Sequence, residues 1–83
     1  MEYVLVFPDT GSAIKSESCL LGAGVKVSVM PLPESIGSGC GITLRVEEGL
    51  LGCALSVLQE SGVTVSAVYS RQKTPLGYEY MKA

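Results

Sequence analysis

Apolar and polar residues change their spacing several times along this chain, and each change marks an element. Tyr3-Val4-Leu5-Val6-Phe7 is a continuous apolar, β-prone run closed by Pro8. Such a run reads as a central strand covered on at least one face. Asp9, Thr10 and Ser12 then offer N-cap side chains. A helix is predicted from about Gly11 to Leu21, stopping at Gly22-Ala23-Gly24, where glycine suits the C-cap. Ala13, Glu17, Leu20 and Leu21 fall at spacings of four, seven and eight and so share one face. Glu17 has two readings: a stripe-edge residue whose stem reaches water, or a functional carboxylate.

Val25 to Val29 alternates as Val-Lys-Val-Ser-Val, which predicts a strand with one polar face, ended by Pro31 and Pro33. The stretch from Leu32 to Gly41 is a long loop rich in Ser, Gly and Pro, the kind that often carries function. Ile42 to Val46 alternates again and predicts the next strand. Glu47 and Glu48 precede a second helix, where negative charge suits the positive dipole end. That helix is predicted from about Gly49 to Glu60, with Leu51, Ala54, Leu55 and Leu58 on one stripe and Ser61-Gly62 closing it. Val63 to Tyr69 is the last main strand. The tail from Arg71 to Ala83 is more polar, and Tyr78-Glu79-Tyr80 is either a short edge strand or a surface segment.

The order strand, helix, strand, strand, helix, strand predicts an α+β, ferredoxin-like βαββαβ sandwich. Its four-stranded antiparallel sheet would carry both helices on one face, burying the Leu and Val stripes. The 83 residues make one domain, residues 1–83, near the lower size for a self-supporting core. A hydrophobic content of 47% against 17% charge describes a globular chain. No apolar run approaches the ~18–20 residues that span a bilayer. The start, Met1-Glu2-Tyr3, has no basic n-region, so a cytoplasmic location is expected.

Charge narrows the partners. The net charge is −2, and the six basic residues are scattered along the sequence without a cluster. Nucleic-acid binding therefore has no electrostatic footprint, and no nucleic-acid partner is expected. Histidine is absent, which removes imidazole bases and Cys–His nucleophile pairs. Cys19, Cys40 and Cys53 are odd in number and widely spaced, against a disulfide framework. Three thiols without histidine or a C-x-x-C spacing make a poor zinc site, so no metal and no cofactor is expected. Cys19 and Cys53 fall within predicted helices and read as small packed hydrophobes.

Cys40 is different. It stands in Gly37-Ser38-Gly39-Cys40-Gly41, without bulky neighbours, where glycines free the backbone to aim N–H groups at an anion. The same glycines could also make only a tight connection. In a 4-1-3-2 sheet this loop would share an edge with the N-terminus of the first helix. Gly39, Gly41, Ser38, Thr10 and Ser12 would then supply donors to a thiolate or persulfide, and the Cys40 pKa is expected below the ~8.5 of a free thiol. No Lys accompanies the glycines as a nucleotide site would need.

Tyr3 to Pro8, Ala13, Glu17 and the stretch from Pro31 to Arg45 around Ser38-Gly39-Cys40-Gly41 together resemble the small Se/S carrier protein-like family. The resemblance runs from about Tyr3 to Tyr69. In some bacterial proteins this domain is found beside a sulfurtransferase-like carrier domain. The resemblance implies a sulfur or selenium carrier that holds a persulfide-type adduct on Cys40, with Glu17 and Arg45 in support. It implies a sulfur donor as partner, such as a cysteine desulfurase or a sulfurtransferase-like carrier. An accessory carrier is expected rather than a multi-turnover enzyme. The alternative is a non-catalytic module that grips a small anion or a protein, with Cys40 incidental. A homo-oligomer is expected if the helix-free sheet face is apolar.

Overall fold

The computed structural model describes residues 1–37 and 41–83. Strand β1 (Glu2–Val6) leads into helix α1 (Thr10–Gly22), followed by β2 (Ser28–Pro31) and β3 (Ile42–Glu47). A 3-10 turn at Glu48–Leu50 opens helix α2 (Leu51–Glu60), and β4 (Ala67–Thr74) and β5 (Gly77–Lys82) complete the chain. The five strands form one antiparallel sheet in the order β2-β3-β1-β4-β5.

The expected four-stranded sheet is thus corrected to five strands. The polar tail is a hairpin: Thr74 pairs with Gly77 and Tyr69 with Lys82. The last strand expected at Val63 to Tyr69 begins later, at Ala67, and runs on through Arg71 to Thr74. The added strand and the extension of β4 past Tyr69 have one cause. β5 is an edge strand whose side chains are mostly exposed on both faces, so it lacks the apolar alternation that marks a half-buried strand.

Alternation on the inner strands sorts the two sheet faces. Leu5, Phe7, Leu44 and Val46 join Ala13 and Leu20 of α1 and Ala54 and Leu58 of α2 in the buried cluster. Both helices therefore pack on the face that carries these strand residues. Ser16 is also buried on α1, its hydroxyl donating to the Ser12 carbonyl at 2.7 Å. Leu21, expected on the stripe, is 54% exposed. The opposite face carries Glu2, Val4 and Val6 of β1. Its β1 members Val4 and Val6 are buried, whereas Tyr78 of β5, on the same face, is 50% exposed.

Two helix ends follow the same local rule. In α1 the N–H of Val25 donates to Leu20 O and that of Gly24 to Leu21 O. In α2 the N–H of Val63 donates to Leu58 O and that of Gly62 to Gln59 O. This double bond pattern needs a residue at positive φ, supplied by Gly24 (φ 81) and Gly62 (φ 73). It also packs Val25 and Val63 against the core, next to Leu20 and Leu58. Gly62→Ala is expected to lower stability by about 1 kcal/mol through backbone strain alone, since a Cβ there meets no atom within 4 Å. Gly52→Ala, in the same helix and equally open, should instead raise stability by up to about 1 kcal/mol. Urea midpoints moving in opposite directions would bear this out, and equal shifts would refute it.

Candidate functional site

The segment that carries Cys40 joins β2 to β3. Ser38, Gly39 and Cys40 lie outside the described residues, so the site is built from its flanks. On one side Gly37 takes φ 89, a conformation only glycine adopts without strain. On the other, Gly41 is exposed and its carbonyl accepts a hydrogen bond from the Leu32 N–H at 3.1 Å.

The register locates these flanks. Glu2 stands opposite Glu47 and Leu5 opposite Leu44, so the start of β3 lies level with the end of β1. There the chain leaves the sheet through Pro8 and Asp9 to begin α1. Gly41 and the N-terminus of α1 therefore share one sheet edge. Thr10 is the first residue of that helix and is exposed.

Ser12 serves a different partner. Asp9 is the N-cap, and the Ser12 N–H donates to its Oδ1 at 2.7 Å. Ser12, through its backbone N–H first and its hydroxyl second, holds the Asp9 carboxyl below the usual carboxylate range. Both Ser12 donors are thus turned to a carboxylate that already sits at the positive end of the helix. Of the three cap candidates at Asp9, Thr10 and Ser12, Asp9 is the one that folds back. Because its folded pKa is depressed, the charge contributes stability above the unfolded pKa of about 3.9, and that contribution is lost as pH falls through the folded value. Asp9→Asn keeps an acceptor but no charge. Its deficit in melting temperature against the wild type is expected near neutral pH and should vanish in acid; a deficit independent of pH would contradict this.

The two supporting residues stand apart from the edge. Glu17 is half-buried on α1, seven residues beyond Thr10 and so about 10 Å along the helix. Arg45 lies four residues beyond Gly41, about 13 Å down β3. Its Nε meets Glu2 Oε2 at 3.4 Å and its Nη2 donates to Ser28 Oγ at 3.3 Å. Arg45 is thus part of a cross-strand network and is not brought beside Gly41.

Of the other thiols, Cys19 is half-buried while Cys53 is exposed on α2. The packed reading of Cys53 is corrected: its position off the Leu stripe leaves it facing solvent. Among the described residues no group of three or more His, Cys, Asp or Glu side chains converges as a metal site would require. No helix among them is long and apolar enough to cross a membrane.

The network around Glu2 had no signal in the linear sequence. Arg71 Nη1 donates to Glu2 Oε1 at 2.8 Å, and the Arg71 guanidinium lies 3.6 Å from the centroid of the Tyr78 ring. Glu2 and Arg71 are 69 positions apart and meet only through the pairing of β1 with β4, while Tyr78 reaches Arg71 across the β4–β5 hairpin.

The molecule is therefore an α+β domain of two helices on a five-stranded antiparallel sheet, with a glycine-framed cysteine in the β2–β3 connection. Residues 2–70 match the family described as "Putative Se/S carrier protein-like", and the chain belongs to that family. The match includes the whole Gly37 to Gly41 segment and ends within β4, before the β5 hairpin strand. No curated protein and no solved structure matched the chain.

Proposed function

We propose that this protein is a carrier that holds sulfur or selenium as a covalent adduct on Cys40 and hands it on by exchange. The observation that carries the reading is family membership over residues 2–70, with the only glycine-framed thiol of the chain inside the match. In the loading step the Cys40 thiolate attacks the outer sulfur of a donor persulfide. A new S–S bond forms at Cys40, the donor's S–S bond breaks, and the donor leaves as a thiolate, so no external oxidant or reductant is needed. Ser38, Gly39, Gly41 and Thr10 are the donors assigned to the anionic sulfur, and the start of α1 on the same edge as Gly41 supports that assignment. Glu17 and Arg45 would act at a distance at most. The donor fits a cysteine desulfurase or a sulfurtransferase-like carrier, in a reducing, cytoplasmic setting. The first four strands and both helices are read as a ferredoxin-like sandwich to which β5 is added.

Incubation with a cysteine desulfurase and cysteine, followed by intact mass and peptide mapping, tests this. The expected result is one added sulfur on the peptide that contains Cys40. No added sulfur from a donor that loads a control acceptor, or sulfur found on exposed Cys53 alone, would overturn it.

A further inference from the structure

Scattered in the sequence, the cations meet in space. Strand register puts Arg45 of β3, Arg71 and Lys73 of β4, and Lys82 of β5 on the sheet face opposite the helices. Lys26 joins them, lining one depression with Glu2, Ser28, Arg45 and Glu47. Five of the six basic residues thus lie on or beside this face, and only Lys15 is elsewhere, exposed on α1. Of the eight acidic residues, only Glu2 and Glu47 share the face. Glu2 is already held between Arg45 and Arg71. Lys73 and Lys82 are exposed and form no ion pair among the described residues. A chain of net charge −2 therefore carries a positive face backed by a negative remainder.

Aromatic rings are interleaved with these charges. Tyr69 pairs with Lys82, Tyr80 with Arg71 and Tyr78 with Lys73, so three of the four tyrosines stand in the same rows as the cations. Tyr78 is 50% exposed, with the Arg71 guanidinium stacked over its ring. Arg71 is itself largely buried, and its Nε has no hydrogen-bond partner among the described residues. Rigid rings flanked by cations, on a sheet face that no helix covers, suit a polyanion with flat, stackable groups.

We propose that this face, on its β4–β5 side, binds single-stranded nucleic acid. Lys73 and Lys82 would contact phosphates and Tyr78 would stack on a base. An acidic peptide would satisfy the cations but give the exposed ring no role. A duplex presents its bases stacked inside, and this face offers no helix to enter a groove. The surface is separate from the β2–β3 connection and does not depend on the carrier reading.

Fluorescence anisotropy with a labelled oligouridine of about fifteen nucleotides tests the proposal, a length within the range bound by small sheet domains. Affinity is expected to fall roughly sevenfold between about 50 and 200 mM salt, as two phosphate contacts on a single strand require. Lys73→Glu with Lys82→Glu should weaken binding more than about tenfold and flatten the salt slope by about 0.7 for each lysine. Tyr78→Ala should weaken it roughly tenfold, with Tyr78→Phe restoring it. All four changes are at exposed residues, and unchanged thermal melts would separate binding from folding. No binding by the wild type overturns the proposal. So does equal affinity for polyglutamate or for a duplex of the same length, or a Tyr78→Ala variant that binds like the wild type.

Discussion

Cys40→Ser is expected to abolish sulfur loading altogether while leaving the thermal melt almost unmoved. The first half follows from chemistry: a serine hydroxyl cannot form or exchange an S–S bond, and the carrier proposal assigns the adduct to Cys40 alone. The second follows from packing. The core cluster draws on β1, β3 and the two helices, and no described residue between 32 and 41 belongs to it. A change outside such a core typically moves stability by no more than about 0.5 kcal/mol. Cys53 must enter the design because it is exposed and open to any alkylating probe. The informative comparison is Cys40→Ser against Cys53→Ser: loading should be lost in the first and kept in the second. Loss in both, or a Cys40→Ser domain that unfolds, would make Cys40 structural.

Phe7→Ala is expected to cost about 3–5 kcal/mol, the range for deleting a fully buried aromatic ring. Phe7 is the single Phe of the chain, has no solvent exposure, and belongs to the cluster that includes Leu5, Leu20, Leu44 and Leu58. The total stability of a domain this small is only about 5–10 kcal/mol, so the variant should be partly unfolded at physiological temperature. Two controls make the result specific. Phe7→Leu should cost less than about 2 kcal/mol because most of the volume stays. Leu21→Ala should change stability by about 0.5 kcal/mol or less, since Leu21 is 54% exposed. Urea denaturation of the three proteins gives the comparison. A Leu21→Ala loss as large as that of Phe7→Ala would mean that the stripe runs through Leu21 after all.

Much of the fold was legible because its signals are local. Asp9 caps α1 through the N–H three residues on, and Gly24 and Gly62 close helices through carbonyls three residues back. Such contacts are decided within one turn, so residue type and spacing reveal them. The apolar runs at Tyr3–Phe7 and Ile42–Val46 were equally plain, because strands central to a sheet must hide side chains. Leu21 and Ser16 were harder. A stripe about 100° wide leaves its edges open, and only the packing of α1 onto the sheet chose Ser16 over Leu21 for burial.

The sequence alone therefore determined the helices and their ends, the strands β1 and β3, and the glycine-framed thiol that ties the chain to its family. The tertiary structure decided what pairing decides. Residues 71–82 form strands because β4 offers an edge to β5, not because their own pattern demands it. Ser12 is turned to Asp9, Arg45 is held by Glu2, and Cys53 is left in solvent, through contacts that spacing does not predict. The grouping of Arg45, Arg71, Lys73 and Lys82 is the plainest instance. Which face a strand residue takes depends on its parity in the antiparallel register, and a slip of one residue would send it to the other side. Charges that look dispersed along the chain thus become one positive surface only once the five strands are paired.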